Sequence, residues 1–202
     1  MKTIILSFII CLFLATAAIV PPHSSAISMR MSGAADDFTL VKVGDGVYAA
    51  VARSGGLASG NAGFVVGDEG VLVVDTFFTP LAAQELIDTI GVETKQPIRY
   101  ALNTHYHLDH TGGNQVFADR SVPIIAHDNV MLWQTSKNRR FLPVPEELQK
   151  RRADVAKQIA DTSADQTDKR TQLDRQLRRL DALLTIKLTN PTVTFSRGKV
   201  HL

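Results

Sequence analysis

The sequence contains very little cysteine, little net charge, and few glycines or prolines. Of its 202 residues only Cys11 is a cysteine, and 22 basic residues nearly balance 20 acidic ones, for a formal charge of +2. A basic surface of the kind that binds nucleic acid is therefore not expected. The 13 glycines and 8 prolines exclude a collagen-like or low-complexity sequence, and an apolar fraction of 45% excludes a disordered chain. This length predicts one globular domain.

The N-terminus has the pattern of a secretion signal. Lys2 precedes an apolar run over residues 4–20, and small residues follow, with cleavage motifs ending at Ala17 and Ala26. A membrane anchor is the alternative, because the run is just long enough to span a bilayer. We expect residues 1–26 to be a signal peptide and the protein to be secreted or periplasmic, without a stable membrane anchor. Cleavage after Ala26 would remove Cys11, so the mature chain would have no disulfide and no thiolate ligand.

The remaining residues, 27–202, predict a mixed α/β domain. Thr79-Pro80 has the pattern of a helix start, and Gly91 is the predicted helix end. Strands that come first and then alternate with helices favour a mixed sheet. The predicted strands cover residues 38–43, 47–51, 62–66, 71–74, 98–102 and 123–126, and a further helix covers 127–136.

Residues 145–185 form a charged helical insertion by sequence. Leu173, Leu177, Leu180 and Leu184 recur at the spacing of one helical stripe, and a thinner stripe precedes them. Two long helices interrupted near residues 162–163 fit this pattern. The favoured interpretation is a solvated amphipathic hairpin over the domain. A homodimer contact or a lid over a site is the alternative.

Three histidines and an aspartate within six residues are the strongest chemical signal of the sequence. His105 and His107 follow an apolar strand and are two residues apart, so in an extended segment their side chains leave the same face. Asp109 and His110 come after a turn, where Gly112-Gly113 permits a tight path back toward the same place. These four side chains are the predicted metal ligands. For one histidine, a turn with backbone hydrogen bonds would be the better interpretation, but for a cluster it is not.

The donor set suits Zn²⁺, although Fe or Mn remains open. Four ligands in six residues are hard to place around one ion, so we expect two ions, one held by His105 and His107 and the other by Asp109 and His110. Two adjacent ions can bind a hydroxide that acts as a nucleophile near neutral pH.

The segment His105-Tyr-His-Leu-Asp-His110, with the Thr-Gly-Gly-Asn that follows it, resembles the metallo-β-lactamase-fold hydrolases. The segments at 60–66, 70–76 and 79–91 resemble the early strands and first helix of that family. The resemblance implies an αββα sandwich with a dinuclear metal site and hydrolysis of esters, lactones, thioesters, β-lactams or phosphoesters. By the same resemblance His105 and His107 bind the first zinc ion, and Asp109 and His110 the second. Asp109 is also a candidate catalytic residue, as a proton acceptor.

Asp75 stands where the family has a buried aspartate, which implies hydrogen bonds that steady the metal loop. A simple cap of the strand end is the alternative. His127 could line the outer pocket, although a surface histidine at a helix start is favoured. His23 and His201 are not expected to take part. The family pattern continues with further ligands that this sequence does not contain, so we expect the N-terminal part of a longer protein, with the fold truncated after its first half and little activity by itself.

Two functions from different classes follow. The first is a zinc-dependent hydrolase with a small-molecule substrate, as the activity of the longer protein. The second is a non-catalytic or degenerate metal-binding domain that acts through residues 145–185 as an interaction module.

Overall fold

The computed structural model describes residues 37–197. The predicted signal peptide, Cys11, His23 and His201 lie outside the described residues. The described part contains a seven-stranded sheet with helices, which confirms the mixed α/β class. Its strands are β1 Phe38–Gly44, β2 Val47–Ala52, β3 Ala62–Val66, β4 Val71–Val74, β5 Ile98–Asn103, β6 Ile124–His127 and β7 Val193–Phe195.

The helices lie between the later strands and after them. They are α1 Pro80–Glu93, α2 Leu108–Thr111, α3 Asn114–Ala118, α4 Asp128–Asn138, α5 Pro145–Asp161 and α6 Thr167–Leu184, with a 3₁₀ turn at Arg139–Phe141. None of the helices in the described range is long and apolar enough to cross a membrane.

The sheet changes from antiparallel to parallel pairing at β4. Strands β1 to β4 pair antiparallel in chain order, as the two predicted hairpins require, whereas β4, β5, β6 and β7 pair parallel. The first hairpin turns at Gly46, whose φ of +66° favours glycine. In the parallel half all strands end at the same edge, so the residues after β4, β5 and β6 are brought together there.

Most of the apolar side chains of the sheet and of helices α1 and α3 form one core. Its largest fully buried members include Phe64, Phe77, Phe117, Leu86 and Ile90. Thr79 caps α1 by accepting a hydrogen bond from the amide of Ala82, with Pro80 in the first turn, as predicted. The predicted end of α1 at Gly91 is wrong. The helix continues to Glu93, because the buried Leu86 and Ile90 anchor it and outweigh the cost of about 1 kcal/mol for a glycine in a helix.

The insertion at 145–185 forms two helices, as predicted, with a break at residues 162–166. The two apolar stripes pack against each other and form a second core of Leu148, Val155, Leu173 and Leu180, separate from that of the sheet. We call α5 and α6 the helical hairpin. The hairpin is tied to the sheet domain by an ion pair between Arg178 and Asp37 and by Ala182 of α6, which is buried in the core of the sheet. Dimerisation through it stays a prediction.

Candidate metal centre

The parallel half of the sheet places Asp75 and the histidine motif side by side. Asp75 follows β4 and Thr104 follows β5, and in these neighbouring strands Val74 is paired with Leu102. The amide of Asp75 donates a 2.7 Å hydrogen bond to the carbonyl of Leu102, which extends the ladder by one residue. His105 therefore begins a loop that leaves the sheet next to Asp75.

The predicted ligands come together. The ring centroid of His105 lies 4.8 Å from that of His107 and 4.1 Å from that of His110. The Nε2 of His110 lies 3.3 Å from a carboxylate oxygen of Asp109. The expected turn before Asp109 is instead the short helix α2, because the amide of Gly112 bonds the carbonyl of Leu108 and closes a helical turn. Asp109 in its first turn suits the positive end of the helix.

Asp75 links the two ends of this loop. Its carboxylate accepts hydrogen bonds from the amide of Thr104 at 2.8 Å and from the hydroxyl of Thr104 at 2.7 Å. The same carboxylate lies 2.8 Å from the Nδ1 of His110. Asp75 is buried and has a φ of +60°, a conformation that non-glycine residues seldom adopt. It therefore does more than cap a strand: it orients two residues of the loop.

These contacts also determine which ring nitrogens are free to bind a cation. The Thr104 hydroxyl gives its proton to Asp75, so at 3.0 Å it can only accept from the Nδ1 of His105. His110 likewise directs its Nδ1 at Asp75. In the neutral form of each ring, the lone pair is then on Nε2. Hydrogen bonding that fixes the tautomer in this way is typical of metal-binding histidines.

The two histidines differ in basicity. Burial lowers the pKa of His105, and the neighbouring His110 and His107 act in the same direction, against Asp75 and Asp109. The hydrogen bond with Asp75 raises the pKa of His110, against the effect of burial, and the charges of Asp75 and Asp109 add to it. His105 is accordingly the more readily available as a neutral ligand, whereas a cation at His110 competes with a proton.

A network of buried side-chain amides, which the sequence analysis did not predict, supports the histidine loop through the carbonyl of His110. Asn103 and Asn114 exchange hydrogen bonds through their amides at 3.0 and 2.9 Å, and the hydroxyl of Thr76 donates to the same oxygen of Asn114. Asn103 and Thr76 also donate to the carbonyl of His110. The feature of the sequence that could have indicated this network is Asn103 at the end of β5, since a buried side-chain amide needs hydrogen-bond partners.

Glycines allow the loop to approach its neighbours closely. A Cβ on Gly112 would lie 1.9 Å from the carbonyl oxygen of Phe78, and one on Gly113 would lie 2.1 Å from that of Thr76. A Cβ on Gly60 would lie 2.4 Å from the carbonyl oxygen of Asp109. The sequence predicted that Gly112-Gly113 allow a tight path of the chain. Neither residue has a positive φ, so the glycines are needed here for the close approach of two backbones and not for an unusual conformation.

Residues 55–137 match the Metallo-beta-lactamase superfamily. This matched segment is about two fifths of the chain. The segment contains the whole histidine motif, Asp75 and strands β3 to β6.

Individual relatives cover the chain in part. Over 65 residues the chain is 37% identical to the 2,4-dinitroanisole O-demethylase subunit alpha of Nocardioides sp. (strain JS1661), an alignment that covers 32% of this chain and 20% of that protein. The chain thus spans about a fifth of the length of the curated relative it matches.

Solved structures with a similar segment cover about half of the chain. The metallo-beta-lactamase FIM-1 of Pseudomonas aeruginosa in its mono-zinc form is 21% identical over 50% of this chain and 46% of that one, with a TM-score of 0.45. The inverting sec-alkylsulfatase Pisa1 of Pseudomonas sp. is 26% identical over 49% of this chain and 16% of that one, with a TM-score of 0.42.

The loop at residues 105–110 offers a donor set that fits a divalent transition-metal ion, namely three imidazoles and one carboxylate. Within residues 37–197 no three His, Cys, Asp or Glu side chains are already arranged to hold an ion. The ligand roles of His105, His107, Asp109 and His110 remain a prediction.

A cleft of about 370 Å³ opens beside this donor set. His107 and Asp109 form its polar side, and Phe78, Leu108 and Phe141 form an apolar side. His127, although at the same sheet edge, does not join the cluster. Its ring caps α4 by accepting from the amide of Asn129, and its other nitrogen lies 3.1 Å from the carbonyl of Ser196. This agrees with the favoured interpretation of a histidine at a helix start.

Proposed function

We propose that this chain supplies part of the centre of a zinc-dependent hydrolase that acts on an ester, lactone, thioester or β-lactam bond. The observation that carries the proposal is the convergence of His105, His107 and His110 beside Asp109, with two of the rings oriented through Asp75 and Thr104. Because the chain spans a fifth of its curated relative, this activity is proposed for the whole protein.

His105 and His107 would hold one ion and Asp109 and His110 a second. A bound zinc ion supplies acidity, since it lowers the pKa of its water ligand toward neutrality. Asp75 keeps the Nδ1 of His110 occupied and so leaves the Nε2, which faces Asp109, to bind an ion. Asp109, partly exposed at the cleft, is placed to accept a proton from a substrate or water in addition to its ligand role.

The apolar side of the cleft favours a substrate with an aryl or alkyl group. Phe78, Leu108 and Phe141 would bury that group while its scissile bond faces His107 and Asp109. The curated relative is a 2,4-dinitroanisole O-demethylase subunit, so 2,4-dinitroanisole belongs in the substrate panel together with lactones, thioesters and a chromogenic cephalosporin.

Zinc binding by the full 202-residue chain tests the metal centre on which the proposal depends. After equilibration with Zn²⁺ and gel filtration, we expect retained zinc in the unchanged chain and little in His105→Ala and Asp109→Ala. His127→Asn is the matched control, because it changes a histidine of the same sheet edge to a residue that can still cap α4. Retention by His105→Ala equal to that of the control would contradict the ligand assignment. No retention by any form would favour the non-catalytic interaction module.

A further inference from the structure

One ion pair joins the helical hairpin to the part of the chain that contacts the metal centre. The guanidinium of Arg178 in α6 donates to both carboxylate oxygens of Asp37, each at 2.9 Å. The side chain of Asp37 is only 2% exposed, and that of Arg178 is 39% exposed. A bidentate pair of this kind fixes orientation as well as charge. Arg178 is therefore held in one geometry, unlike a surface arginine.

The Asp37 carboxylate also holds the loop that follows β2. The Oδ1 atom of Asp37 accepts a hydrogen bond from the amide of Leu57 at 2.9 Å. The backbone carbonyl of Asp37 accepts one from the amide of Arg53 at 3.0 Å. Residues 53–60, here called the β2–β3 loop, are thus attached to Asp37 at two points. Leu57 and Ala58 are buried, so the middle of this loop belongs to the core.

The far end of the β2–β3 loop lies against the metal centre. The carbonyls of Leu57 and Ala58 accept hydrogen bonds from the Thr79 hydroxyl and the Phe78 amide, at 3.1 and 2.9 Å. Gly60 approaches Asp109 so closely that a Cβ there would lie 2.4 Å from its carbonyl oxygen and 3.1 Å from its carboxylate oxygen. The position of Gly60 consequently limits where the Asp109 side chain can lie.

From these contacts we propose that Arg178 is a positioning residue of the metal centre. Through Asp37 and the Leu57 amide it holds the β2–β3 loop where Gly60 supports Asp109. The hairpin that contains Arg178 lies outside the matched superfamily segment. The inference rests on the proposed metal centre for its consequence, but the mechanical link from Arg178 to Asp109 can be tested without a metal.

The substitution Arg178→Met removes the charge and keeps the bulk of the side chain. It leaves the buried Asp37 carboxylate without the guanidinium that pairs with it, so the loop loosens. By hydrogen exchange we expect about 10-fold faster exchange of the amides in residues 53–60 and 105–111, with β5 unchanged as internal reference. We also expect a loss of Zn²⁺ affinity of about 10-fold, the usual effect of removing an outer support of a metal ligand.

Arg152→Met is the matched control. Arg152 lies in the same hairpin and pairs with Asp181, but both partners are nearly half exposed. We expect this variant to change loop exchange and Zn²⁺ affinity by less than about 2-fold. Equal loop exchange in Arg178→Met and Arg152→Met would overturn the proposal, as would an effect of Arg178→Met spread evenly over the whole sheet.

Two further variants separate positioning from stability. Arg178→Lys keeps the positive charge but cannot make the two parallel hydrogen bonds of a guanidinium. We therefore expect amide exchange in the β2–β3 loop to be slower than in Arg178→Met but faster than in the unchanged chain. In the double variant Asp37→Asn with Arg178→Met, the asparagine oxygen can still accept from Leu57 and no buried charge remains. We expect it to be no worse than Arg178→Met, because both changes act on one link. Additive losses would contradict this route. If the unchanged chain binds no Zn²⁺, the proposed function fails. The positioning role of Arg178 is then tested by amide hydrogen exchange in residues 105–111 alone.

Discussion

The carboxylate of Asp75 accepts two hydrogen bonds from Thr104, one from its amide and one from its hydroxyl, at 2.8 and 2.7 Å. Through this pair the end of β4 holds the first residue after β5, where the histidine motif begins. The same carboxylate contacts the Nδ1 of His110 at the other end of the motif. A single buried side chain therefore sets the orientation of both His105 and His110.

Asp75→Asn should weaken both the fold and the metal centre. Asparagine tolerates the positive φ and can still accept from the Thr104 amide, but its NH₂ group cannot accept the Thr104 hydroxyl proton or face a protonated His110. We expect a decrease in the free energy of unfolding of about 1–3 kcal/mol. Zn²⁺ affinity should fall by about 10–100-fold. Urea unfolding of the metal-free chain and competition with a zinc chelator measure the two effects.

Asp68→Asn is the control for this change, because Asp68 is exposed in the turn between β3 and β4. Its unfolding free energy should stay within about 0.5 kcal/mol of the unchanged chain, and its Zn²⁺ affinity should be unaffected. If Asp75→Asn matched the control in both measurements, Asp75 would be a strand cap and nothing more.

Gly112→Ala should destabilise the chain, whereas Gly91→Ala should stabilise it. The new Cβ at position 112 would overlap the carbonyl of Phe78 in the backbone that faces the metal loop, at an expected cost of about 1–3 kcal/mol. At position 91, in the last turn of α1, the new Cβ meets nothing within 4 Å. Alanine there should add about 0.5–1 kcal/mol. Thermal or urea unfolding measures both, and a neutral Gly112→Ala would contradict the close approach.

Local chemistry was sufficient to predict much of this fold and its site. The Thr79-Pro80 helix start, both early hairpins and the gathering of His105, His107 and His110 all follow from neighbours in sequence. The contacts that support the site could not be predicted from neighbours in sequence. Arg178 and Asp37 are 141 residues apart, and no periodicity or motif marks either one. The pair of Asn103 and Asn114 likewise depends on two elements meeting in three dimensions, which local spacing does not specify.

Leu173→Ala should loosen the helical hairpin before the sheet. Leu173 is buried in the core between α5 and α6, which is separate from that of the sheet. Removal of the side chain should cost about 2–5 kcal/mol of hairpin stability. Hydrogen exchange should rise across residues 145–184 and, through the loss of Arg178, in the β2–β3 loop, while β4 and β5 stay protected. Leu132→Ala, at a side chain that is 65% exposed, is the control. A uniform rise over the sheet would show that the hairpin unfolds only with the domain.

Phe141→Ala should reduce the preference of the proposed hydrolase for substrates with an aryl group. Phe141 is 59% exposed and forms one side of the cleft beside His107 and Asp109, so a bound aryl ring would cover it. Loss of that contact should cost about 1–2 kcal/mol, which corresponds to a rise in KM of about 5- to 30-fold for a phenyl ester.

A methyl ester of similar reactivity should show little change in KM with Phe141→Ala, because it has no group large enough to reach Phe141. Val144→Ala is the control variant, since Val144 is also exposed but is not part of the cleft. The comparison uses the whole active protein with both esters, and zinc content is checked in each variant so that a lost metal is not mistaken for a lost contact. Equal effects on the phenyl and methyl esters would place the substrate elsewhere, on a path that avoids Phe141.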